Sequence, residues 1–178
     1  PADRIMIAVL SFENLGAPGD EYFAEGITEE INSRLASVPQ PGVIPRTSTR
    51  QYKGSGKTVK EIAGELGVDY VPEGTVRWHR PPDTDRVLIT PQLIRVSDDT
   101  YAWSEQYDRV IDDLFRTQSE IAGRVIDSLN VTLLASTREI IEAQPTDNFE
   151  AYQAYLRGLE AARAADYSAG LVELGQSM

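Results

Sequence analysis

The sequence predicts an α/β (α+β) fold in which helices pack on a mixed β-sheet. In the first half, short apolar runs typical of buried strands alternate with segments whose apolar residues recur every three or four positions, as in amphipathic helices. In the second half, β-rich runs at residues 84–96 and 101–108 flank a polar turn, which predicts an antiparallel hairpin. Parallel crossovers followed by a hairpin give a sheet with both strand directions.

The amino-terminal elements form a strand, helix, strand unit. Residues 5–10 are a continuous apolar run and predict an interior strand, and Asp20 stands where it can cap the helix that follows. The core-facing stripe of that helix comprises Phe23, Ile27, Ile31, Leu35 and Val38. Two prolines and a glycine in residues 39–42 end the helix, and residues 43–44 are a short strand that leaves through a loop at 45–48. This succession predicts a parallel strand pair with a right-handed crossover.

A short helix and a longer strand follow. Residues 58–66 have helical spacing, and Gly67 stands at the position that favours a left-handed cap. Residues 69–80 are predicted to form a strand that contains Pro72. Because proline has no amide hydrogen for a ladder, we expect Pro72 at an edge, at a bulge or among the first residues of its strand, and the same expectation covers Pro91 in the next strand.

The hairpin and the last helix of the predicted domain belong together. Tyr101, Trp103 and Tyr107 are spaced as residues of one strand face, and we expect that face to be core beneath the helix. Asp112 or Asp113 is expected to cap this helix. Its helical pattern extends over Leu114, Gln118, Ile121, Ala122, Val125, Ile126, Leu129 and Leu133.

A segment rich in turn-forming residues, 143–148, predicts a domain boundary. We therefore expect an α/β domain over residues 1–142 and, over residues 143–178, a linker and a helical hairpin. Because the sequence begins at Pro1 without a signal-peptide pattern, we also expect it to be a fragment of a longer, multidomain protein.

Composition excludes several function classes. Seventeen basic against 28 acidic residues give a net charge of −11, which repels phosphate backbones and anionic headgroups, so we expect no nucleic-acid partner. The absence of cysteine excludes disulfides, thiolate metal sites and cysteine catalysis. The sequence contains no run of 18 apolar residues, so we expect no direct membrane insertion within it.

Gly54-Ser-Gly-Lys-Thr58 is similar to the end of a phosphate-binding loop and opens a predicted helix. The complete motif requires a glycine at position 51, where this chain has Gln51. We interpret the segment as a surface turn in which Thr58 caps the helix. A nucleotide-binding enzyme that uses this degenerate loop is the alternative.

No catalytic, cofactor-binding or metal-binding residue is predicted. His79 is the only histidine, and the sequence offers it neither a nucleophile nor an orienting partner. The adjacent carboxylates at 29–30, 98–99 and 112–113 are explained as helix surface, turn and helix cap, because neighbours in a helix or strand point apart.

One segment is locally basic in this acidic chain. Arg46, Thr47, Ser48 and Arg50 form a basic, hydroxyl-rich patch after the second strand. We assign them as candidate contacts for an anionic ligand or an acidic partner, with a solvated loop as the alternative.

Five blocks of sequence occur together in an order known from one family, at residues 7–15, 21–31, 43–48, 66–77 and 101–109. They resemble the TolB-like amino-terminal domain family, bacterial modules found beside adenylate or guanylate cyclase, winged-helix and kinase domains. The resemblance covers residues 5–135 and implies a βαβαβββα order with a mixed five-stranded sheet. The tail is similar to the start of a tetratricopeptide repeat, because Gly158 and Leu174 keep its 16-residue offset, although Ala161 replaces a tyrosine.

This resemblance implies a role rather than a reaction. It implies a non-catalytic accessory, sensory or protein-interaction domain of a multidomain signalling protein, with any cyclase activity in an attached domain outside these residues. Protein partners are expected through the loops and the repeat tail, and a structural spacer is the remaining alternative. Relatives often carry a membrane helix upstream, which implies an extracytoplasmic (periplasmic) position on a membrane-anchored protein, with the cytoplasm as the alternative.

Overall fold

The computed structural model describes residues 4–80, 85–129, 149–150, 153–154 and 156–157. Within them, seven strands form one sheet: β1 (Met6–Ile7), β2 (Glu13–Asn14), β3 (Gly42–Val43), β4 (Tyr70–His79), β5 (Arg86–Arg95), β6 (Thr100–Ser104) and β7 (Tyr107–Val110). Four helices accompany them: α1 (Glu21–Ala36), α2 (Arg46–Thr49), α3 (Val59–Leu66) and α4 (Leu114–Ser128). The predicted α/β (α+β) class is confirmed.

The sheet contains both strand directions, as predicted. β3, β1 and β4 are parallel neighbours in that order, and β2 lies parallel to β4 further along the same strand. β4 runs antiparallel to β5, whose other edge pairs antiparallel with both β6 and β7. The parallel pairing of β1 with β3 confirms the parallel strand pair expected from the strand, helix, strand succession.

The sheet has seven strands rather than five because the ladder breaks beside two prolines. The amide and the carbonyl of one strand residue point toward the same neighbouring strand. The carbonyl of Pro72 accepts a hydrogen bond from the amide of Leu10 at 2.9 Å, between the β1 and β2 pairings, and Pro72 has no hydrogen to return. The carbonyl of Pro91 accepts one from the amide of Glu105 at 3.3 Å, between β6 and β7.

The two prolines differ in how well their positions were predicted. Pro72 lies third in β4, among the first residues of its strand, as expected. Pro91 lies in the middle of β5, an interior strand, which contradicts the expectation of an edge, a bulge or a strand start. It is accommodated there because its nitrogen faces the gap between β6 and β7 rather than a continuous partner strand.

Helices cover the two faces of the sheet unequally. α1 and α4 pack on one face over the larger core, which includes the whole predicted α1 stripe of Phe23, Ile27, Ile31, Leu35 and Val38. α3 packs on the other face through Ile62 and Ala63, against Val71 and Ile94. α3 has only eight residues, and the core beneath it is the smaller of the two.

The aromatic row of the hairpin is divided between the two faces. The β5–β6 register shifts between Leu93 and Ile94, so that Leu93 pairs with Trp103 whereas Ile94 pairs with Tyr101. Adjacent strand residues point to opposite faces, and this irregularity turns Tyr101 away from Trp103. Trp103 packs against the larger core and Tyr107 belongs to it, as predicted, but Tyr101 is 61% exposed and the prediction for it was wrong.

Both aspartates expected to cap long helices occupy the cap position without capping by their side chains. Asp20 precedes α1, but its carboxylate accepts two hydrogen bonds from the guanidinium of Arg80, at 2.6 and 3.0 Å. Asp113 precedes α4 and likewise makes no side-chain cap hydrogen bond. The cap positions were therefore predicted correctly, but the side-chain capping hydrogen bonds were not.

Part of the tail packs on this domain. The described residues of the tail are helical, and the ring of Phe149 lies against Trp78, with the ring centroids 5.8 Å apart. The amide of Gln153 donates to the hydroxyl oxygen of Tyr22 at 2.7 Å. The proposed boundary at 143–148, the repeat-like positions Gly158, Ala161 and Leu174, and Leu133 of the last predicted helix all lie outside the described residues.

Candidate functional site

A cleft of about 570 Å³ opens where β1 ends. From β1 the chain passes through α1 to β3 on one side, and from β3 it passes through α3 to β4 on the other side. Because α1 and α3 lie on opposite faces of the sheet, the connections diverge at the carboxyl end of β1. Such a switch point leaves a crevice, and it is where open α/β sheets bind ligands.

The cleft has an apolar floor and a charged rim. Leu10, Phe12, Val59 and Ile62 contribute to the floor. The charged residues of the rim come from several elements: Glu13 from β2, Glu21 from α1, Glu73 from β4, and Lys53 and Lys57 from the segment before α3.

The two lysines of the rim are already neutralised. The ammonium group of Lys53 contacts the carboxylate of Glu21 and lies 2.9 Å from Glu25 Oε1, and that of Lys57 lies 2.5 Å from Glu65 Oε1. Burial by itself would lower the pKa of Lys53, but its hydrogen bonds to the two glutamates outweigh burial and raise it. Both lysines therefore stay protonated and directed at protein carboxylates.

The Gly54–Thr58 segment is the surface turn expected from the sequence. The hydroxyl oxygen of Thr58 accepts a hydrogen bond from the amide of Glu61 at 3.1 Å, and the Glu61 carboxylate accepts one from the amide of Thr58 at 3.0 Å. This reciprocal arrangement is a capping box, and it confirms Thr58 as the cap of α3. Gly54 and Gly56 have φ values of 73° and 75°, which glycine adopts without strain.

Arg46, expected on a loop, begins the short helix α2 and points into the protein. It is only 6% exposed. Its guanidinium lies 3.0 Å from Glu25 Oε2 and 3.5 Å from Glu29 Oε1, and it donates to the carbonyl of Val9 at 3.3 Å and to the hydroxyl of Thr49 at 3.0 Å. Arg46 thus ties α2 to α1 and to the end of β1.

The other three residues of the predicted patch are more accessible. Thr47 is exposed and Ser48 is half-buried. Arg50 is half-buried and donates to Glu29 Oε1 at 2.6 Å. The four residues therefore do not present one basic surface, and a contact role for them stays a prediction.

Sequence reasoning missed the acidic counterpart of this patch. Glu25 and Glu29 are four residues apart on α1, and Arg46 and Arg50 repeat that spacing, so the two pairs can face each other. Burial by itself would raise the pKa of Glu25, but the hydrogen bond from Lys53 and the charges of Lys53 and Arg46 outweigh it and lower that pKa. The matching intervals were the signal that could have revealed the contact.

Glu73 was also missed. It lies in the middle of β4, half-buried at the cleft, and burial together with the charge of Glu13 raises its pKa above the usual value. A glutamate within a β-rich run could have attracted attention, because strands disfavour glutamate.

The remaining candidate chemistry is sparse. Among the described residues, no group of three or more His, Cys, Asp or Glu side chains could hold a metal ion. His79 is exposed at the end of β4. No helix in the described part of the chain is both long and apolar enough to cross a membrane.

No family model matches the sequence. The chain is 38% identical over 156 residues to "Putative adenylate cyclase 3" of Rhizobium meliloti (strain 1021), and the match covers 87% of this chain and 26% of that protein. The chain thus spans about a quarter of the length of this relative.

Among solved structures, the hypothetical protein CT253 from Chlamydia trachomatis aligns with a TM-score of 0.52 and 14% identity, over 72% of this chain and 100% of that chain. TolB from Acinetobacter baumannii aligns with a TM-score of 0.48 and 12% identity, over 72% of this chain and 29% of that chain. The likeness to CT253 shows a shared fold and nothing beyond it, and no further conclusion follows from the TolB alignment.

Proposed function

We propose that this chain is a non-catalytic accessory domain of a multidomain bacterial signalling protein, with a sensory or protein-interaction role. The observation that carries the proposal is its 38% identity to a segment that makes up 26% of a protein named as an adenylate cyclase. Cyclase activity would then belong to an attached domain outside these residues, and this domain would modulate or position it.

The geometry supports a sensing role better than nucleotide chemistry. A nucleotide would need free cations for its phosphates, whereas Lys53 and Lys57 are paired with Glu21, Glu25 and Glu65. A phosphate loop would use the hydroxyl of Thr58 to bind magnesium, but here that hydroxyl accepts a hydrogen bond from the amide of Glu61. The cleft therefore offers a ligand site at a switch point without the groups that phosphoryl transfer requires.

A domain exchange tests the proposal. The matched segment of the Rhizobium meliloti protein would be replaced by this chain, and cyclic AMP production would be compared with that of the parent and of a deletion of the segment. We expect the exchange to restore output that the deletion alters, and we expect the isolated chain to form no cyclic AMP from ATP. Output equal to that of the deletion, or cyclase activity of the isolated chain, would contradict the proposal.

The same domain-exchange experiment distinguishes an accessory domain from a structural spacer. A spacer of matched length, such as an unrelated α/β domain, would restore output as well as this chain does if only distance mattered. We expect it to fail, because an accessory role depends on the surfaces of the domain. Restoration by the unrelated domain would favour the spacer.

We propose an extracytoplasmic position and a repeat array after residue 148 on the resemblance described above. A reporter enzyme that is active only after export, fused after this chain in its full-length protein, tests the position. Activity supports the periplasm, and inactivity of a stably produced fusion places the domain in the cytoplasm.

A further inference from the structure

We propose that the cleft at the carboxyl end of β1 binds a small organic cation, an amine or guanidinium compound with an apolar body, and that Glu13 and Glu73 are its anionic contacts. The inference builds on the proposed function because it names a ligand class for the sensory role. It rests on the position of the cleft, its charge balance and its apolar floor.

The charge balance of the rim selects a cation. Lys53 and Lys57 are each held by glutamates of α1 or α3. The carboxylates of Glu13 and Glu73, by contrast, make no hydrogen bond or ion pair with any residue that the structure describes. The field in the cleft is therefore set by two uncompensated negative charges, which repel an anion and attract a cation.

The sheet places these two carboxylates on one face. Glu13 of β2 pairs with Thr75 of β4 in parallel register, and Glu73 precedes Thr75 by two residues. Residues two apart in a strand share a face, so both carboxylates point toward the side covered by α3. Partial burial and the charge of Glu13 raise the pKa of Glu73, and a cation bound between the two carboxylates would offset both effects.

The apolar floor and the size of the cleft indicate what the uncharged part of the ligand is. Leu10, Phe12, Val59 and Ile62 offer apolar contact, and among the described residues no group of three or more His, Cys, Asp or Glu side chains could hold a metal ion. A volume of about 570 Å³ lies within the range of small-molecule sites, and an ammonium ion alone would leave most of it empty. The matching ligand carries its charge at one end and an aromatic or aliphatic body at the other.

Calorimetric titration of the 178-residue chain tests the inference. The probes are 2-phenylethylammonium, the neutral isostere 2-phenylethanol and the anion phenylacetate. We expect saturable binding of the cation and binding of the other two that is weaker by about tenfold or more, since only the cation meets the two carboxylates. Equal affinities for the three probes, or no binding of the cation at millimolar concentration, overturn the proposal.

Variants locate the binding at these residues. Glu73→Gln should weaken binding of 2-phenylethylammonium by about tenfold, while Asp99→Asn, which removes the same charge at the exposed β5–β6 turn, should leave it unchanged. Equal affinities of the two variants would overturn the assignment, provided that thermal unfolding shows both folded. Binding by the isolated chain does not depend on an attached effector, so failure here leaves the domain-exchange result standing, and the reverse also holds.

Discussion

Leu156 packs directly over Gly26 in the middle of α1. A Cβ atom added to Gly26 would lie 2.8 Å from Leu156 Cδ2, closer than carbon atoms approach without repulsion. Leu156 is 7% exposed and belongs to the larger core. A larger residue at position 26 would force the Leu156 side chain to shift, and this contact joins residues beyond the predicted boundary at 143–148 to the α/β domain.

The effect of Gly26→Ala should change sign with the residue at position 156. Alanine favours a helix over glycine by about 1 kcal/mol, but its methyl group would collide with Leu156. We expect Gly26→Ala to lower the free energy of unfolding of the chain, and to raise it by up to about 1 kcal/mol when Leu156→Ala has removed the obstacle. Urea unfolding of the parent chain, the two single variants and the double variant measures both effects. Stabilisation by Gly26→Ala while Leu156 is present would show that the tail does not dock on α1.

Arg46→Met should be strongly destabilising. The change removes one of the two cationic partners of Glu25, which keeps Lys53, and leaves the carbonyl of Val9 without this donor. Because Glu25 keeps Lys53, we expect a loss of about 1–3 kcal/mol, the cost of leaving buried hydrogen-bonding groups without a partner. Arg46 is only 6% exposed, so its replacement acts on the fold as well as on any contact surface.

Arg50→Met is the matched control, because the side chain of Arg50 is 39% exposed and pairs with the same acidic helix at Glu29. Partly exposed ion pairs contribute about 1 kcal/mol or less. Thermal and urea unfolding of both variants would show a large loss for Arg46 and a small one for Arg50. Equal losses would mean that the Arg46 pair is not buried in solution.

The fold followed from local patterns, whereas the site did not. Phe23, Ile27 and Ile31 recur at helical spacing, so the buried face of α1 was visible in the sequence. The meeting of Glu13 with Glu73 depends on the register between β2 and β4, strands 60 residues apart that no periodicity aligns. Similarly, strict alternation placed Tyr101 on the face of Trp103, and one irregular register step reversed it.

Thr58→Ala should destabilise α3, and ATP with magnesium should leave the melting temperature unchanged in both the native chain and the variant. Loss of the accepting hydroxyl removes a capping box and costs about 1 kcal/mol, whereas Thr58→Ser retains the hydroxyl and most of the stability. The melting temperature of each variant, with and without ATP and magnesium, measures both points. A rise with ATP in the native chain that is lost in Thr58→Ala would favour the nucleotide-binding alternative.

Two half-buried glutamates should respond to pH with opposite sign. The folded-state pKa of Glu25 is lowered by Lys53 and Arg46, in excess of the effect of burial, so the stability it contributes is present above the unfolded value of 4.5 and is lost as pH falls through the folded value. The folded-state pKa of Glu73 is raised by burial and by Glu13. Its ionisation therefore destabilises the fold, and this penalty develops as pH rises from 4.5 through the folded value.

At pH 7 we accordingly expect Glu25→Gln to lower the free energy of unfolding and Glu73→Gln to raise it, although both make the same chemical change. The Glu73 difference should shrink toward zero once the pH falls below the unfolded value of 4.5, and the Glu25 difference once it falls below the lowered folded-state pKa of Glu25. Urea unfolding between pH 3 and 8 measures them. A loss of stability in Glu73→Gln at pH 7 would mean that its carboxylate has a stabilising partner in the protein, and the charge balance inferred for the cleft would then be wrong.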